Sequence, residues 1–167
     1  MRTILRSLSL VLLVAIIAGC GFHLRGTGAA TFSVDRIHVS ATNAYGEMQR
    51  ALEAALTEAG ATLVDDNAPY SVMLGSERTT RRPVATTQDN SVAEYEIRLE
   101  VSFTLTDQGG TTLIPDSLLS VERIYTFDNA NLMGNTREES LLVEEMRNDV
   151  AAQVIRRIDA SVRAPRE

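Results

Sequence analysis

Tyr95-Glu96-Ile97-Arg98-Leu99-Glu100-Val101-Ser102-Phe103-Thr104-Leu105 is the stretch on which the fold turns. Tyr95, Ile97, Leu99, Val101, Phe103 and Leu105 alternate with polar residues without a break. Alternation with a period of two over such a length predicts a β-strand with one face packed and the other wet. Glu94, Glu96, Arg98, Glu100, Ser102 and Thr104 form the wet face. An apolar layer must therefore cover one side of a sheet, and one side only.

Downstream, Asp107-Gln108-Gly109-Gly110 reads as a turn, and a further strand follows near 118–127 with Val121, Tyr125 and Phe127 on one face. Thr136 and Glu139 have the spacing of a capping box. The helix they open carries Leu142, Met146, Val150, Val154 and Ile158 on one stripe, widened by Val143, Ala151 and Ile155, and runs to about Val162. Arg156, Arg157 and Arg163 lie near its end, where positive charge suits the helix dipole.

Upstream, Tyr70, Val72 and Leu74 alternate as a strand, preceded by an Asp65-Asp66-Asn67-Ala68-Pro69 loop, and Leu63-Val64 has the start of another. Asn43 is placed to cap a helix whose apolar face is Tyr45, Met48, Leu52, Ala55, Leu56 and Ala59, with Gly60 just past its end. Residues 35–40 make a short strand, with Ile37 and Val39 on one side and Arg36 and His38 on the other. The expectation is an α+β fold in the order β-α-β-β-β-α, with two helices packed on one face of a four-stranded mixed sheet. Strands one and two should run parallel through a right-handed crossover, and strands two, three and four should form antiparallel hairpins.

The N-terminus is of another kind. Arg2 and Arg6 precede an apolar run over 8–18, shorter than the ~20 residues a bilayer span needs. The run ends in Ile17-Ala18-Gly19-Cys20, and Cys20 is the only cysteine of the 167 residues. This resembles the bacterial lipobox, in which the cysteine thiol is diacylated, the chain is cut before it and the new amine is acylated. Residues 1–19 are then a lipoprotein signal peptide, 20–33 the lipidated N-terminus and a linker, 34–163 a single α/β domain, and 164–167 a tail. Several acyl chains, palmitate among them, make a firm anchor at about 0.8 kcal/mol per buried CH₂. Gly21 follows the cysteine. An Asp there would by analogy hold a lipoprotein in the inner membrane, so the expected location is the outer membrane of a Gram-negative envelope.

Cleavage takes Arg2 and Arg6 away, and with them the formal charge moves from −6 to −8. So acidic a chain is a poor general binder of nucleic acid. With Cys20 acylated no free thiol remains for a disulfide, a zinc thiolate or a nucleophile. His23 and His38 have no ligand-like spacing to an acid or to each other, and no nucleophile elbow, zinc-helix or phosphate-loop pattern occurs. The expectation is no catalytic residue, no metal site and no cofactor beyond the covalent N-acyl and S-diacylglycerol lipid on Cys20. Glu94, Glu96 and Glu100 share a strand face with Arg98, which reads as a polar face; acid–base or calcium chemistry is the alternative.

The polar connection between Gly75 and Ser91 holds Arg78, Arg81 and Arg82 against a single acid in its first half, Glu77. With Asp89-Asn90 as a tight turn, the connection can be a long hairpin with a basic arm. It is either a solvated loop or a site for a phosphorylated or anionic ligand, which arginine binds bidentately.

Four stretches in register carry a family resemblance. Cys20-Gly21-Phe22-His23-Leu24-Arg25-Gly26 resembles the mature start of the LPS-assembly lipoproteins, the LptE family. Ala93-Glu94-Tyr95-Glu96-Ile97, Phe127-Asp128-Asn129, and Glu144-Glu145-Met146-Arg147 with Ile155-Arg156-Arg157 resemble its long strand, the end of its fourth strand and its last helix. The resemblance implies two helices on a four-stranded sheet. It also implies a lipoprotein that sits in the lumen of the LptD β-barrel at the outer membrane, helps that barrel assemble and binds lipopolysaccharide. The family's basic lipopolysaccharide contacts would fall near Gln88 and Asn135 here, and neither residue is basic. Arg78, Arg81, Arg82 and Arg137 are the nearby candidates to replace them. The alternative is a generic outer-membrane lipoprotein that scaffolds another envelope complex.

Overall fold

A computed structural model describes residues 32–88 and 91–164. The long strand is β5, Val92–Asp107, and the sheet is organised around it. One edge of β5 pairs antiparallel with β6, Thr112–Thr126, almost end to end. The other edge is shared by two shorter strands. β3, Tyr70–Leu74, pairs with its second half, and β4, Arg78–Thr86, with its first. Beyond β3 lie β1, Arg36–Ala41, and the two-residue β2, Thr62–Leu63, both parallel.

Among the described residues six strands thus stand where the sequence predicts four. β4 is the basic arm of the long hairpin that the sequence offers as one reading of the connection between Gly75 and Ser91; exposed along nearly all its length and containing Pro83, it carries no apolar alternation that would count it among the four strands. It is a strand because the β5 edge offers it a ladder. β2 is the strand whose start the sequence shows at Leu63-Val64, one residue earlier and only two residues long. The hairpin expectation is corrected in the same way: β3 and β5 are antiparallel but not consecutive, since β4 intervenes. β3 and β4 run in one direction along the same edge, broken at 75–77. There the Gly75 N–H donates to Ser102 O at 2.8 Å. A Cβ on Gly75 would lie 2.3 Å from Ser102 Oγ, so the two strands approach too closely here for an unadjusted side chain.

Both helices cover one face. α1, Glu47–Glu58, buries Met48, Leu52 and Leu56. α2, Leu132–Arg163, buries Met146, Val150, Ala151, Val154 and Ile158, the predicted stripe. Beneath them lie Ile97, Leu99, Val101, Phe103 and Leu105 of β5, all at most 1% exposed. Each such side chain contributes roughly 1.5–3 kcal/mol by leaving water.

The helix starts differ from the expected ones. α1 begins at Gly46 without a side-chain cap; Asn43 instead accepts the Gly46 N–H through its carbonyl, one turn earlier. Tyr45 is 83% exposed, with φ of 61°, and stands outside the helix rather than on its apolar face. α2 starts at Leu132, four residues before Thr136, and its N-cap is Asn131, whose side chain accepts from the Gly134 N–H at 3.0 Å. The Thr136 hydroxyl donates to Leu132 O, a bond available only inside a helix. The expected Gly60 is past the end of α1 in the left-handed region, at φ 97°.

At its far end α2 receives the incoming chain. The Ser33 N–H donates to Asp159 Oδ1 at 2.9 Å, and Arg163 reaches both Asp159 and the Ser33 hydroxyl. Val34 is 2% exposed, and Phe32 packs against the core beside it.

Candidate functional site

The pairing of β4 with β5 separates the arginines that lie together in sequence. Arg78 is opposite Glu100 and Arg82 opposite Glu96, while Arg81 is opposite the fully buried Ile97. Paired residues share a face. Arg78 and Arg82 therefore stand on the helix-free face and Arg81 on the helix side.

On the helix-free face the charges form a ladder. Arg82 grips Glu96 with two bonds, Nε to Oε1 at 2.7 Å and Nη2 to Oε2 at 2.8 Å. Arg98 lies 2.6 Å from Glu122 and 4.0 Å from Glu96. Glu96 is only 7% exposed. The hydrogen bonds from Arg82 hold its carboxyl below the usual range, helped by the charges of Arg82 and Arg98 and against the pull of desolvation. Glu96 holds Arg82 protonated in turn. Glu96, from the row of glutamates on β5, and Glu122 of β6 are thus tied to arginines on this polar face.

On the helix side Arg81 enters a closed cluster. Its guanidinium lies 4.5 Å from the Tyr95 ring centroid and donates to Glu139 Oε2 at 2.8 Å. The Tyr125 hydroxyl donates to the same oxygen at 2.9 Å. Burial and the bond to Glu139 push the Tyr125 hydroxyl above its ordinary pKa, and the Arg81 pKa is raised by its bonds to Tyr125 and Glu139. Tyr95 stacks on Tyr125 and meets Phe127 edge-on. Beside the cluster is an open groove of about 450 Å³ lined by Arg81, Thr136, Glu139, Ser140, Val143 and Arg147. Arg147 is itself paired with Glu77 at 2.8 Å.

Arg81 and Arg82 are therefore both engaged by carboxylates. Arg78 and Arg137 are exposed and have no ion-pair partner among the described residues. Arg137 lies in the exposed first turns of α2. Asn135 is buried: it accepts the Asp128 N–H and donates to Asp128 O, fastening the β6–α2 turn. Gln88 is exposed near the β4–β5 tip. Cys20, His23 and the expected Asp89-Asn90 turn lie outside the described residues. His38 Nδ1 is 3.1 Å from Val64 O. Among the described residues no helix is long and apolar enough to cross a membrane. Sequence reasoning missed Glu139, Tyr95 and Tyr125 as partners of Arg81. Nothing in their spacing signals it, because α2 brings Glu139 to β4 from 58 residues away.

Comparison with known proteins supplies what the geometry alone does not. The family model described as LptE, lipopolysaccharide-assembly, matches residues 34–158. A protein named LPS-assembly lipoprotein LptE from Pectobacterium atrosepticum is 32% identical over 163 residues, covering 95% of this chain and 86% of its own. One of the same name from Photorhabdus laumondii is 27% identical over 167 residues, covering 95% and 87%. Among solved structures, lipoprotein B of Nitrosomonas europaea matches with a TM-score of 0.71 at 22% identity, over 86% of this chain and 94% of that one. Rare lipoprotein B of Shewanella oneidensis matches with 0.68 at 23%, over 75% and 95%. These two speak for the fold, a sheet with two helices on one face. The family match and the sequence relatives carry the assignment: this chain belongs to the LptE lipopolysaccharide-assembly family.

Proposed function

We propose that this chain is an outer-membrane lipoprotein, anchored through acyl groups on Cys20, that fills the lumen of the LptD β-barrel, helps that barrel assemble and binds lipopolysaccharide on its way to the cell surface. It makes and breaks no bond; the mechanism is docking and scaffolding. The observation that carries this reading is the helix-free sheet face. A sheet whose second face is a ladder of paired charges, Arg82–Glu96 and Arg98–Glu122, is built to lie against another polar surface. The inner wall of a large membrane barrel is such a surface, polar where its outside is apolar. Desolvating already paired charges costs less than desolvating lone ones.

For the lipopolysaccharide, the phosphates call for arginines not already spoken for, which favours Arg78 and Arg137 over Arg81 and Arg82. Acyl anchoring adds local concentration rather than contact. The test is affinity purification of the tagged, lipidated chain from detergent-solubilised envelopes, followed by mass spectrometry. A stoichiometric large β-barrel in the eluate is expected. Its absence, with the chain intact and acylated on Cys20, would shift the reading to a scaffold for another envelope complex.

A further inference from the structure

Neither helix covers the helix side of β4, where Thr79 and Arg81 stay exposed. The open groove beside Arg81, of about 450 Å³, shares Ser140 and Arg147 with a second of about 380 Å³ that adds Glu47, Arg50, Ala51, Glu144 and Asn148. The two make one trough along α2. Its lining is polar apart from Val143 and Ala51. Each guanidinium in it is matched by a carboxylate: Arg81 by Glu139 and Arg147 by Glu77, both at 2.8 Å, and Arg50 by Glu47. Spare hydrogen-bonding atoms remain. Glu139 Oε2 accepts from both Arg81 and Tyr125, which leaves Oε1 without a partner among the described residues. Arg147 spends Nε and Nη2 on Glu77 and keeps Nη1. The Thr136 and Ser140 hydroxyls donate to backbone carbonyls of α2 and keep their lone pairs. Two residues before Glu47 stands Tyr45, 83% exposed with φ of 61°. Residues held in such strained conformations collect at ligand sites.

This lining turns away three kinds of ligand. A phosphate finds no spare positive charge, because every arginine is paired and Glu144 adds a further acid. An acyl chain finds too little apolar wall. A metal ion finds no group of three ligating side chains among the described residues. A neutral ligand dense in hydroxyls is what the trough fits. We propose that it binds a saccharide, the sugar part of a lipopolysaccharide, with Tyr45 as the platform for one ring. The inference rests on the ligand reading above and deepens it, by naming the part of the ligand and its seat. Each sugar hydroxyl both donates and accepts. Neighbouring hydroxyls on one ring can therefore take Glu139 Oε1 and an adjacent guanidinium together. The ion pairs hold these forks in place before the ligand arrives, which lowers the ordering cost of binding. A neutral ligand also leaves the pairs intact and replaces water in the trough hydroxyl for hydroxyl. The C–H face of a ring suits an aromatic side chain that is wet on its other flank. The trough opens on the helix side, away from the charged face proposed to lie against the barrel wall, so a single copy serves both.

The test is titration calorimetry of the purified, lipidated full chain in detergent against three probes: intact lipopolysaccharide, the core oligosaccharide freed of its lipid, and maltohexaose as an unrelated neutral saccharide. Ser140→Leu fills the trough at the residue its two halves share, and Tyr45→Ala removes the platform. Both positions are exposed, so neither change should move the melting temperature. The freed oligosaccharide is expected to bind the unmodified chain, and at least about tenfold more weakly in each variant. Maltohexaose is expected to bind more weakly than the oligosaccharide. Intact lipopolysaccharide that binds while the freed oligosaccharide does not overturns the trough and leaves the ligand reading standing. If neither binds, the ligand reading itself has failed. Undiminished oligosaccharide binding in Ser140→Leu overturns the seat, and undiminished binding in Tyr45→Ala overturns the platform. Maltohexaose binding more tightly than the oligosaccharide assigns the trough to a free saccharide and overturns the link to lipopolysaccharide.

Discussion

Arg82 and Glu96 show how one pair sets a pH dependence. The Glu96 pKa is lowered in the folded chain from an ordinary 4.5, so the fold gains from its ionisation. That gain is present above pH 4.5 and is lost as the pH falls below it through the folded value. Asp159 adds to the same window from an ordinary 3.8: burial pushes it up, but bonds from Ser33 and Arg163 outweigh this and lower it. Urea midpoints measured from pH 7 to pH 2.5 should therefore drop in the acid limb, and Arg82→Met should shallow that drop. Tyr125→Phe removes the hydroxyl bonded to Glu139 and should cost about 1 kcal/mol in urea unfolding. Asn135→Ala strands both Asp128 backbone groups and should cost roughly 1–3 kcal/mol by the same measurement. None of these partners was legible in the sequence. Glu96 reads there as one acid in a polar row, and nothing local says that Arg82, not Arg98, takes it bidentately. Asn135 proves to be a buried fastener of the turn.

At the scale of elements, legibility followed burial. β5 and the core stripe of α2 could be read because packing demands a strict period, and Ile97, Leu99, Val101, Phe103 and Leu105 with Met146, Val150, Val154 and Ile158 are buried as expected; Glu96, expected on the wet face, is buried as well under its arginines. β4 was legible only as the basic arm of a possible hairpin, because a strand exposed along its length answers to its neighbour's edge and not to its own composition. The helix starts failed for a related reason: Thr136 and Glu139 have capping spacing, yet the Asn131 and Asn135 bonds let α2 begin one turn earlier. The break between β3 and β4 makes a sharp prediction. Gly75→Ala should destabilise the fold by crowding the Ser102 hydroxyl, and Ser102→Ala should restore most of the loss. A double-mutant cycle in urea reads the coupling directly. Phe103→Ala in β5, by contrast, should cost about 3–5 kcal/mol with no such rescue.

For the whole molecule, the sequence supplied class and family, while the distribution of charge over two sheet faces required the fold. Arg78, Arg81 and Arg82 look equivalent as a run and are sorted only when β4 meets β5. The lipopolysaccharide prediction changes with that sorting. Arg78→Asp with Arg137→Asp should weaken binding in a direct pull-down while leaving the melting temperature nearly unchanged. Arg81→Asp with Arg82→Asp should weaken binding too, but with a falling melting temperature, since it places acids beside Glu139 and Glu96. Unchanged binding in both pairs would remove the arginines from the ligand site.

The clasp of Ser33 on Asp159 and Arg163 has a mechanical side. β1 follows it directly, with parallel neighbours on both flanks, β2 and β3. Tension arriving from the N-terminal side must first slip the clasp and then draw β1 along its own axis. Its ladder bonds would be loaded together in shear, not unzipped one at a time. The chain is thus harnessed to bear a tug from the direction in which its anchor would lie.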